Sequence, residues 1–342
     1  MSRLTKRKLS KQQAWRIQKI QDERAKRAEK RLDIADELLS AGQLGQEQTG
    51  LVISHFGTQV EIEDGHGERQ RCFIRTNLPA LVTGDRVVYR AGEHIGVVVA
   101  LNERDTILKR PDPYTGLKPV AANIDQVIIV VAPKPTLYAD LIDRYLVAAE
   151  TAGIEPLILL NKTDLLCDPE LAVAVEGVLQ PYQKLGYRVL RASANKADLS
   201  DLIAALKERT SIFVGQSGVG KSSLVNSLLP AAALRTSELS EFNQKGQHTT
   251  TTARLFHLTP GGRLIDSPGI REFGLWHMER RELELGFIEF RPFLGDCKFR
   301  DCQHANEPGC ALLEAVEQGA VTAARFRSYQ ILCESLDADR PV

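Results

Sequence analysis

The stretch GQSGVGKS, from Gly215 to Ser222, indicates both the fold and the chemistry of a large part of this chain. It follows the apolar run SIFV and leads into SSLVNSLL, whose apolar residues recur at helical spacing. A strand, a glycine-rich loop and a helix in this order bind phosphates, because the glycines let backbone N–H groups turn towards phosphate oxygens. Lys221 would reach the β- and γ-phosphates, and the Ser222 hydroxyl would be a ligand of Mg²⁺. The predicted phosphate-binding residues are Gly215, Gln216, Ser217, Gly218, Val219, Gly220, Lys221, Ser222 and Ser223.

The stretch NKTD, at Asn161 to Asp164, predicts which base the nucleotide carries. It follows the apolar run PLILL, and the Asp164 carboxylate could accept two hydrogen bonds from guanine, a donor pair that adenine lacks. N-K-x-D alone is weak, since such a stretch is often a plain turn. The later strand end YRVLRASANK offers a second half of a guanine pocket. The predicted base-binding residues are Asn161, which could tie this loop to the phosphate loop, Lys162, Thr163, Asp164, Ser193 and Ala194.

Two further stretches complete the elements of a GTPase. DSPG, at Asp266 to Gly269, could hold magnesium indirectly through Asp266, while the Gly269 amide meets the γ-phosphate. QHTTTT, at 247–252, offers a threonine hydroxyl to the same metal. Thr250 is the predicted Mg²⁺ ligand together with Ser222, and Thr249 and Thr251 remain alternatives.

Hydrolysis requires a group that orients the attacking water. Where a Ras-like enzyme has a glutamine after its D-x-x-G stretch, this chain has the apolar Ile270, so the sequence predicts slow intrinsic turnover. His248, beside the threonines, is the nearest candidate for that role. Its alternative is a solvated histidine in a switch loop. The predicted catalytic residues are therefore His248, Thr250 and Lys221.

The order of these elements is unusual. In an ordinary GTPase the phosphate loop comes first, but here both base loops precede it, and the threonine stretch and DSPG follow. The order predicts a circularly permuted domain whose strands keep their places in the sheet. Because DSPG is the last element, the chain then runs through GIREFGLW into the C-terminal tail. We therefore expect loss of the γ-phosphate to move that tail.

Changes in composition divide the chain into four segments. Residues 1–48 are a basic extension, in which the first 31 hold twelve Lys or Arg against three acids; they contact RNA phosphates or form a solvated tail. Residues 49–111 contain short apolar runs at about ten-residue intervals, which predict a five-stranded OB-fold barrel or, alternatively, an SH3-like barrel. Residues 112–276 alternate continuous apolar strands with helices, as in a doubly wound α/β domain. Residues 277–342 are predicted to be a helical, zinc-binding domain.

Three of the six cysteines lie within fourteen residues, with a histidine between them. The spacing is Cys297-x4-Cys302-x-His304-x5-Cys310. Three thiolates and one imidazole are a donor set of structural zinc, with no open position for catalysis. A redox cluster or coincidental crowding are the alternatives.

The remaining composition excludes several classes of protein. No run of about 18 apolar residues is present, and the N-terminus has no apolar core of a signal peptide. We therefore expect a cytoplasmic protein with no membrane partner. Nothing in the sequence indicates an obligate oligomer, and we expect a monomer.

With these residues assembled, the chain resembles the RsgA (YjeQ/YloQ) family of circularly permuted GTPases. The resemblance covers nearly the whole chain and rests on the barrel, NKTD, GQSGVGKS, GQHTTTTAR, DSPGIREFGLW and CKFRDCQHANEPGC. It implies a late assembly factor of the small ribosomal subunit that binds its ribosomal RNA near the decoding region, with GTP hydrolysis stimulated by the subunit and followed by release. It also implies that His248 is the catalytic histidine and that the zinc ligands are Cys297, Cys302, His304 and Cys310.

Two other functions remain open from the sequence. One is a GTP-gated RNA-binding module in which hydrolysis to GDP is incidental. The other is an ATP-dependent enzyme in which NKTD occurs by chance.

Overall fold

The computed structural model describes residues 35, 38–40, 42, 44–112, 116–193, 199–229, 253–259, 261–266 and 278–338. These residues form two compact units, which we describe separately. The first contains the described residues up to Leu81 together with Arg86–Glu103, and the second contains Val82–Asp85 and the described residues from Arg104 onwards. None of the described helices is long and apolar enough to cross a membrane.

The first unit is a closed five-stranded barrel. Its strands are β1 (Glu47–His55), β2 (Gln59–Glu63), β3 (Arg69–Ile74), β4 (Arg86–Arg90) and β5 (Gly96–Leu101). They pair in the order β1-β2-β3-β5-β4, and β4 also pairs with β1, which closes the barrel. The pairing of β3 with β5 is parallel, and the other four pairings are antiparallel. Alternate residues fill the interior: Val52, Val60, Ile62, Cys72, Val87, Tyr89 and Val98. The predicted barrel is confirmed.

A glycine in β1 allows the barrel to close. Gly50 lies opposite Val87 of β4, at the point where β1 begins to pair with β2. A Cβ atom at this position would collide with the Ile62 side chain and lie 2.9 Å from Cε1 of Tyr89. The close approach of three strands therefore requires a residue without a side chain.

The second unit is built on a mostly parallel sheet. Its strands are β8 (Gln126–Val131), β9 (Glu155–Leu160), β10 (Arg188–Arg191), β11 (Thr210–Val214), β12 (Arg254–His257) and β13 (Arg263–Asp266). Within this unit the order is β10-β9-β8-β11-β13-β12, and only β12 runs antiparallel to its neighbour. Every residue of β8 and β11 is buried, which explains their continuous apolar sequences. The predicted α/β fold is confirmed.

Four helices accompany this sheet: α1 (Ala139–Thr151), α2 (Pro169–Lys184), α3 (Ser200–Leu206) and α4 (Lys221–Leu228). The start of α2 has a clear cause in the sequence. The Asp168 side chain accepts hydrogen bonds from the backbone N–H groups of Glu170 and Leu171, and Pro169 occupies the first helical position. A 3-10 helix, Thr163–Cys167, connects β9 to α2.

The second unit also contains a hairpin that precedes β8. Strand β6 (Ile107–Asp112) pairs with β7 (Gly116–Ala122), and residues from Arg104 onwards belong to this unit rather than to the barrel. Arg104 contacts the buried Asp85 carboxylate in two places, with Nε 2.7 Å from Oδ1 and a second guanidinium nitrogen 2.8 Å from Oδ2. The last strand of the barrel, β5, ends at Leu101, before this hairpin begins.

The C-terminal part of the second unit is helical. Its elements are α5 (Arg280–Gly286), a 3-10 helix at Ile288–Phe293, α6 (Ala311–Glu317) and α7 (Ala323–Ala338). Phe287 and Phe290 stack with centroids 4.7 Å apart, and both meet the Tyr329 ring edge to face. Helices α5 and α7 pack against α1, and a Cβ on Gly286 would lie 2.5 Å from Cγ1 of Val147.

Candidate nucleotide site and metal centre

Three of the predicted loops meet at one edge of the sheet. NKTD begins directly after β9, Ser193 lies just beyond β10, and the phosphate loop begins directly after β11. These strands are parallel, so their carboxyl ends lie on the same edge, where ligands bind in open α/β sheets. The structure therefore brings the base loops and the phosphate loop together, although the base loops precede it in the chain.

The conformation of the phosphate loop depends on its glycines. Gly215, Gly218 and Gly220 all have positive φ angles, of 137°, 84° and 96°. A Cβ on Gly215 would collide with the backbone carbonyl of Val130 on the neighbouring strand. At Gly220 it would collide with the side-chain nitrogen of Asn161. The loop thus packs tightly on β8 at Gly215 and on the base loop at Gly220, and this packing leaves no room for a side chain at either position.

Lys221 is the first residue of α4, and its side chain folds over the phosphate loop. Its Nζ atom donates to the carbonyl oxygens of Gly215, at 2.5 Å, and Gln216, at 2.7 Å. These contacts place the ammonium group where the loop curves and where α4 begins. The positive charge and the helix N-terminus act together at this point, which suits phosphate oxygens.

Hydrogen bonds tie the base loop to the phosphate loop. The Nδ2 atom of Asn161, a residue that is 1% exposed, donates to the Val219 carbonyl oxygen at 2.9 Å. Lys162 adopts a left-handed conformation, with φ of 58°, and its Nζ donates to Gly218 at 2.6 Å. The same ammonium donates to the carbonyl oxygen of Lys134, in the loop after β8, at 3.1 Å. The tie predicted for Asn161 is present, whereas the contribution of Lys134 was missed because a carbonyl has no signature in the sequence.

The two base loops are also joined to each other. The buried Ser193 hydroxyl donates to Oδ1 of Asp164 at 2.6 Å. The backbone N–H and the hydroxyl of Thr163 both point at the Ala192 carbonyl oxygen, at 3.3 and 3.2 Å. Ser193 thereby restricts the rotation of the carboxylate that the sequence analysis assigned to guanine. A carboxylate held in one orientation can discriminate between bases without first having to be ordered.

Several predicted site residues lie outside the described part of the chain. Asp266 is described: it is half-buried and ends β13, beside the strand that carries the phosphate loop. The residues outside are Ala194, His248, Thr249, Thr250, Thr251, Gly269 and Ile270. Their roles remain predictions, as does the movement of the tail after DSPG.

The four predicted metal ligands converge on one point. Nδ1 of His304 lies 3.6 Å from the sulfur atoms of Cys297 and Cys302 and 3.2 Å from that of Cys310. The sulfurs of Cys297 and Cys310 are 3.9 Å apart, and all four ligand atoms lie within 4.8 Å of one another. A tetrahedral zinc ion with ordinary bond lengths separates its ligands by about 3.6 to 3.8 Å. The donor set and its spacing therefore fit one tetrahedral metal ion.

Glu307, which was not predicted from the sequence, shapes the loop from Cys297 to Cys310, which we call the ligand loop. Glu307 accepts hydrogen bonds from the backbone N–H groups of Gln303, Ala305 and Asn306, at 2.8 to 3.0 Å. These bonds, led by that from Gln303, lower the pKa of Glu307 to about 2. An acid three residues after a ligating histidine, in a loop of small and polar residues, is the signal that could have identified it.

A buried ion cluster joins the C-terminal helices to α1. Arg325, on α7, is 3% exposed and contacts Asp143 of α1. Its Nε lies 2.6 Å from Oε1 of Glu289, and its guanidinium carbon lies 4.5 Å from the Phe287 ring centroid. The hydroxyl of Tyr182, on α2, donates to Asp143 at 2.5 Å. Nothing in the sequence indicated this cluster, since Arg325 and Asp143 are 182 residues apart.

A family model and proteins of similar sequence that match this chain carry the same name. The family model described as RsgA GTPase matches residues 101–276. Over 339 residues the chain is 58% identical to a protein of Pseudomonas fluorescens named "Small ribosomal subunit biogenesis GTPase RsgA", covering 97% of this chain and 98% of that protein. A protein of the same name from Pseudomonas aeruginosa is 56% identical over 335 residues, with the same coverage.

Two solved structures resemble the chain. One is YjeQ from Thermotoga maritima, with a TM-score of 0.70 and 33% identity over 86% of this chain and 100% of the solved one. The other is YloQ, described as a circularly permuted GTPase, with a TM-score of 0.69 and 29% identity over 87% of this chain and 97% of the solved one. The likeness extends well beyond the nucleotide-binding sheet.

Proposed function

Because this chain belongs to the RsgA GTPase family, we propose that its GTP hydrolysis serves late assembly of the small ribosomal subunit, which stimulates the reaction. Hydrolysis to GDP and phosphate then times the release of the protein. The observation that carries this proposal is the likeness, over 97% of the chain, to proteins named for small ribosomal subunit biogenesis.

The joined loops support the specificity for GTP. In our proposal Asp164 accepts hydrogen bonds from guanine N1 and the exocyclic amine, and Ser193 keeps its carboxylate in that orientation. Lys162 covers one face of the base with its side-chain stem. The remaining base contacts come from Asn161, Thr163 and Ala194. ATP would leave the Asp164 carboxylate without its two donors, at a cost of a few kcal/mol.

The phosphate end of the site supplies the charge for hydrolysis. Backbone N–H groups of 215–223 surround the phosphates, and Lys221 places its ammonium beside the β- and γ-phosphate oxygens. Ser222 and Thr250 would hold Mg²⁺, which supplies positive charge where the phosphate oxygens become more negative. Asp266 orients that site indirectly, and the Gly269 amide contacts the γ-phosphate.

The proposed stimulation by the ribosomal subunit would compensate for the missing glutamine that usually orients the attacking water. With Ile270 at the position of the usual glutamine, no side chain there can orient the attacking water. We assign that role to His248, which the subunit would move into place. The basal reaction is then slow, and the bound subunit accelerates it.

The Cys₃His cluster is proposed to hold one structural zinc ion. Cys297, Cys302, His304 and Cys310 supply four protein ligands, so no position remains open for a reacting group. The role that fits is stabilisation of a short segment that has little apolar core of its own. Zinc is thus expected to be tightly bound and dispensable for the chemistry of hydrolysis.

Contacts with ribosomal RNA are proposed for two basic surfaces. One is the N-terminal extension, with its formal excess of nine positive charges over the first 31 residues. The other is the exposed tip of the ligand loop, where Nζ of Lys298 lies 5.6 Å from the centroid of the exposed Phe299 ring, next to Arg300. A cation beside an exposed aromatic ring suits phosphates and unstacked bases. We propose that the protein acts as a monomer in the cytoplasm.

GTP turnover with and without ribosomal subunits tests this function. We expect slow hydrolysis by the protein alone, an increase of orders of magnitude with small subunits, and no comparable increase with large subunits or with ATP as substrate. A rate indifferent to small subunits would contradict the proposal. That result would leave a GTP-gated RNA-binding protein, in which His248→Ala does not prolong residence on RNA.

A further inference from the structure

Glu284 lies behind His304, on the side of the ring that faces away from the three cysteines. Nδ1 of His304 faces the sulfur atoms, and its other nitrogen, Nε2, lies 3.6 Å from Oε1 of Glu284. Both side chains are largely buried, at 7% and 13% exposure. The ring therefore lies between the predicted metal position and a buried carboxylate.

That carboxylate is held in place by a third residue. The Tyr329 hydroxyl, on α7, donates to the same Oε1 atom at 3.0 Å. The Tyr329 ring also meets the His304 ring edge to face, with centroids 6.4 Å apart. Glu284 is on α5, so two helices that provide no metal ligand determine where the carboxylate lies. This arrangement is a chain of contacts from Tyr329 through Glu284 to His304.

We propose that Glu284 is the positioning residue of the metal centre: its carboxylate accepts the Nε2–H of His304 and so holds the ring with Nδ1 towards the metal. This inference rests on the proposed zinc site. A neutral imidazole that binds a metal through one nitrogen carries its proton on the other, and that buried N–H needs an acceptor. Closing the present separation to hydrogen-bond length requires a movement of about half an ångström.

The position of Glu284 in the fold has a consequence for α5. The same short helix buries Leu283 and packs Gly286 against Val147 of α1. Metal bound to His304 therefore favours the packed position of α5. By linkage, the packed position of α5 favours the metal to the same extent. Removal of the metal should loosen 280–286 even though this helix supplies no ligand.

Zinc affinity of the full-length protein tests the inference, measured by competition with a chromophoric chelator. We expect Glu284→Gln to weaken zinc binding about 10- to 100-fold, the usual effect of removing such a partner. Glu317→Gln is the matched control, because it makes the same change at an exposed position on α6, whereas Glu282 accepts a hydrogen bond that caps α5. Cobalt titration is the second readout: Glu284→Gln should keep the absorption of a tetrahedral site and lose affinity only.

The possible results distinguish an error in the proposed zinc site from an error in the proposed role of Glu284. If the unaltered protein binds neither zinc nor cobalt, the metal assignment itself is wrong. If it binds zinc and Glu284→Gln binds it equally well, the role of Glu284 is wrong. Should Glu284→Gln fail to fold, Tyr329→Phe decides, because it keeps the carboxylate and removes only the hydroxyl that orients it. We expect a several-fold loss of zinc affinity there, and an unchanged affinity would overturn the inference.

Discussion

The nucleotide site and the metal centre are held together in opposite ways. At the nucleotide site, Asn161 contacts Val219 across 58 residues of sequence, and the two loops that meet there extend from strands that are largely buried. At the metal centre, all four donors come from fourteen consecutive residues, three of them on one irregular loop. We expect the sheet to keep the first site in shape by itself and the second site to depend on a bound metal ion. Changes at one site should therefore leave the other nearly unaffected.

Loss of a metal ligand should have the largest effect. Cys310→Ser removes a buried thiolate, and we expect zinc affinity to fall by more than about 1,000-fold, because binding and local folding are coupled. Hydrogen exchange should increase in 297–317, while GTP affinity changes less than about threefold. Cys167→Ser, at an exposed thiol outside the cluster, is the control for zinc binding. Unfolding of the whole sheet in Cys310→Ser would show that the two sites are not independent.

A change in the phosphate loop should impair the nucleotide site and leave the metal centre unaltered. Gly215→Ala places a methyl group against the Val130 carbonyl, which belongs to a buried strand and cannot move away. We expect GTP affinity to fall about 100-fold or more, from a strain of roughly 3 kcal/mol, with zinc binding unchanged. Gly218→Ala is the matched control: its φ is also positive, but the nearest atom to an added Cβ is 3.7 Å away. Equal losses in both variants would mean that backbone conformation, not the collision, dominates.

Two changes at the base loops distinguish the residue that sets the base preference from the residue that only orients it. Asp164→Asn should weaken GTP binding about 30-fold, since one acceptor oxygen becomes a donor that faces guanine donors. Affinity for xanthosine triphosphate should rise at the same time. Ser193→Ala removes only the hydroxyl on Oδ1, so we expect a loss of about fivefold and no change of base preference. Competition binding with the two nucleotides distinguishes these outcomes, and an Asp164→Asn variant with unaltered preference would contradict the guanine assignment.

The smallest effect should come from a change at Glu307, whose hydrogen bonds support the ligand loop. Glu307→Gln keeps one acceptor oxygen and loses the charge, so we expect zinc affinity to fall about threefold, while GTP affinity is unchanged. The lowered pKa of Glu307 means that its contribution is present above its ordinary value of 4.5 and is lost as pH falls through about 2. Glu317→Gln, outside the ligand loop, serves as control. A loss as large as that in Cys310→Ser would show that the protein, not the metal, holds the loop.

Much of both sites could be predicted from the sequence because their chemistry is local. The glycines at 215, 218 and 220 are read from a continuous stretch, and so are the donors from Cys297 to Cys310. The strand alternation and the order of the loops were enough to predict the permuted sheet. The tie from Asn161 to the phosphate loop was also predicted, from the N-K-x-D stretch.

Other features had no local signal. Arg325 reads as an ordinary charged residue of a surface helix, and only packing against α1 buries it beside Asp143. Glu284 likewise sits on a short helix with charged neighbours, twenty residues before the histidine that it faces. Strand β6 pairs with β7 in the second unit, and nothing in its own residues indicates that partner.

The sequence by itself determined the kinds of chemistry available: a phosphate loop, a base loop, a Cys₃His donor set and the order in which they occur. These depend on residue type and on spacing over a few residues, which the backbone converts directly into geometry. Only the tertiary structure decided how Ser193 holds Asp164, which carboxylate lies beside His304 and how Arg325 joins α7 to α1. Such pairings arise because folding buries particular faces together, and a buried polar group must then find its partner there, however distant in sequence.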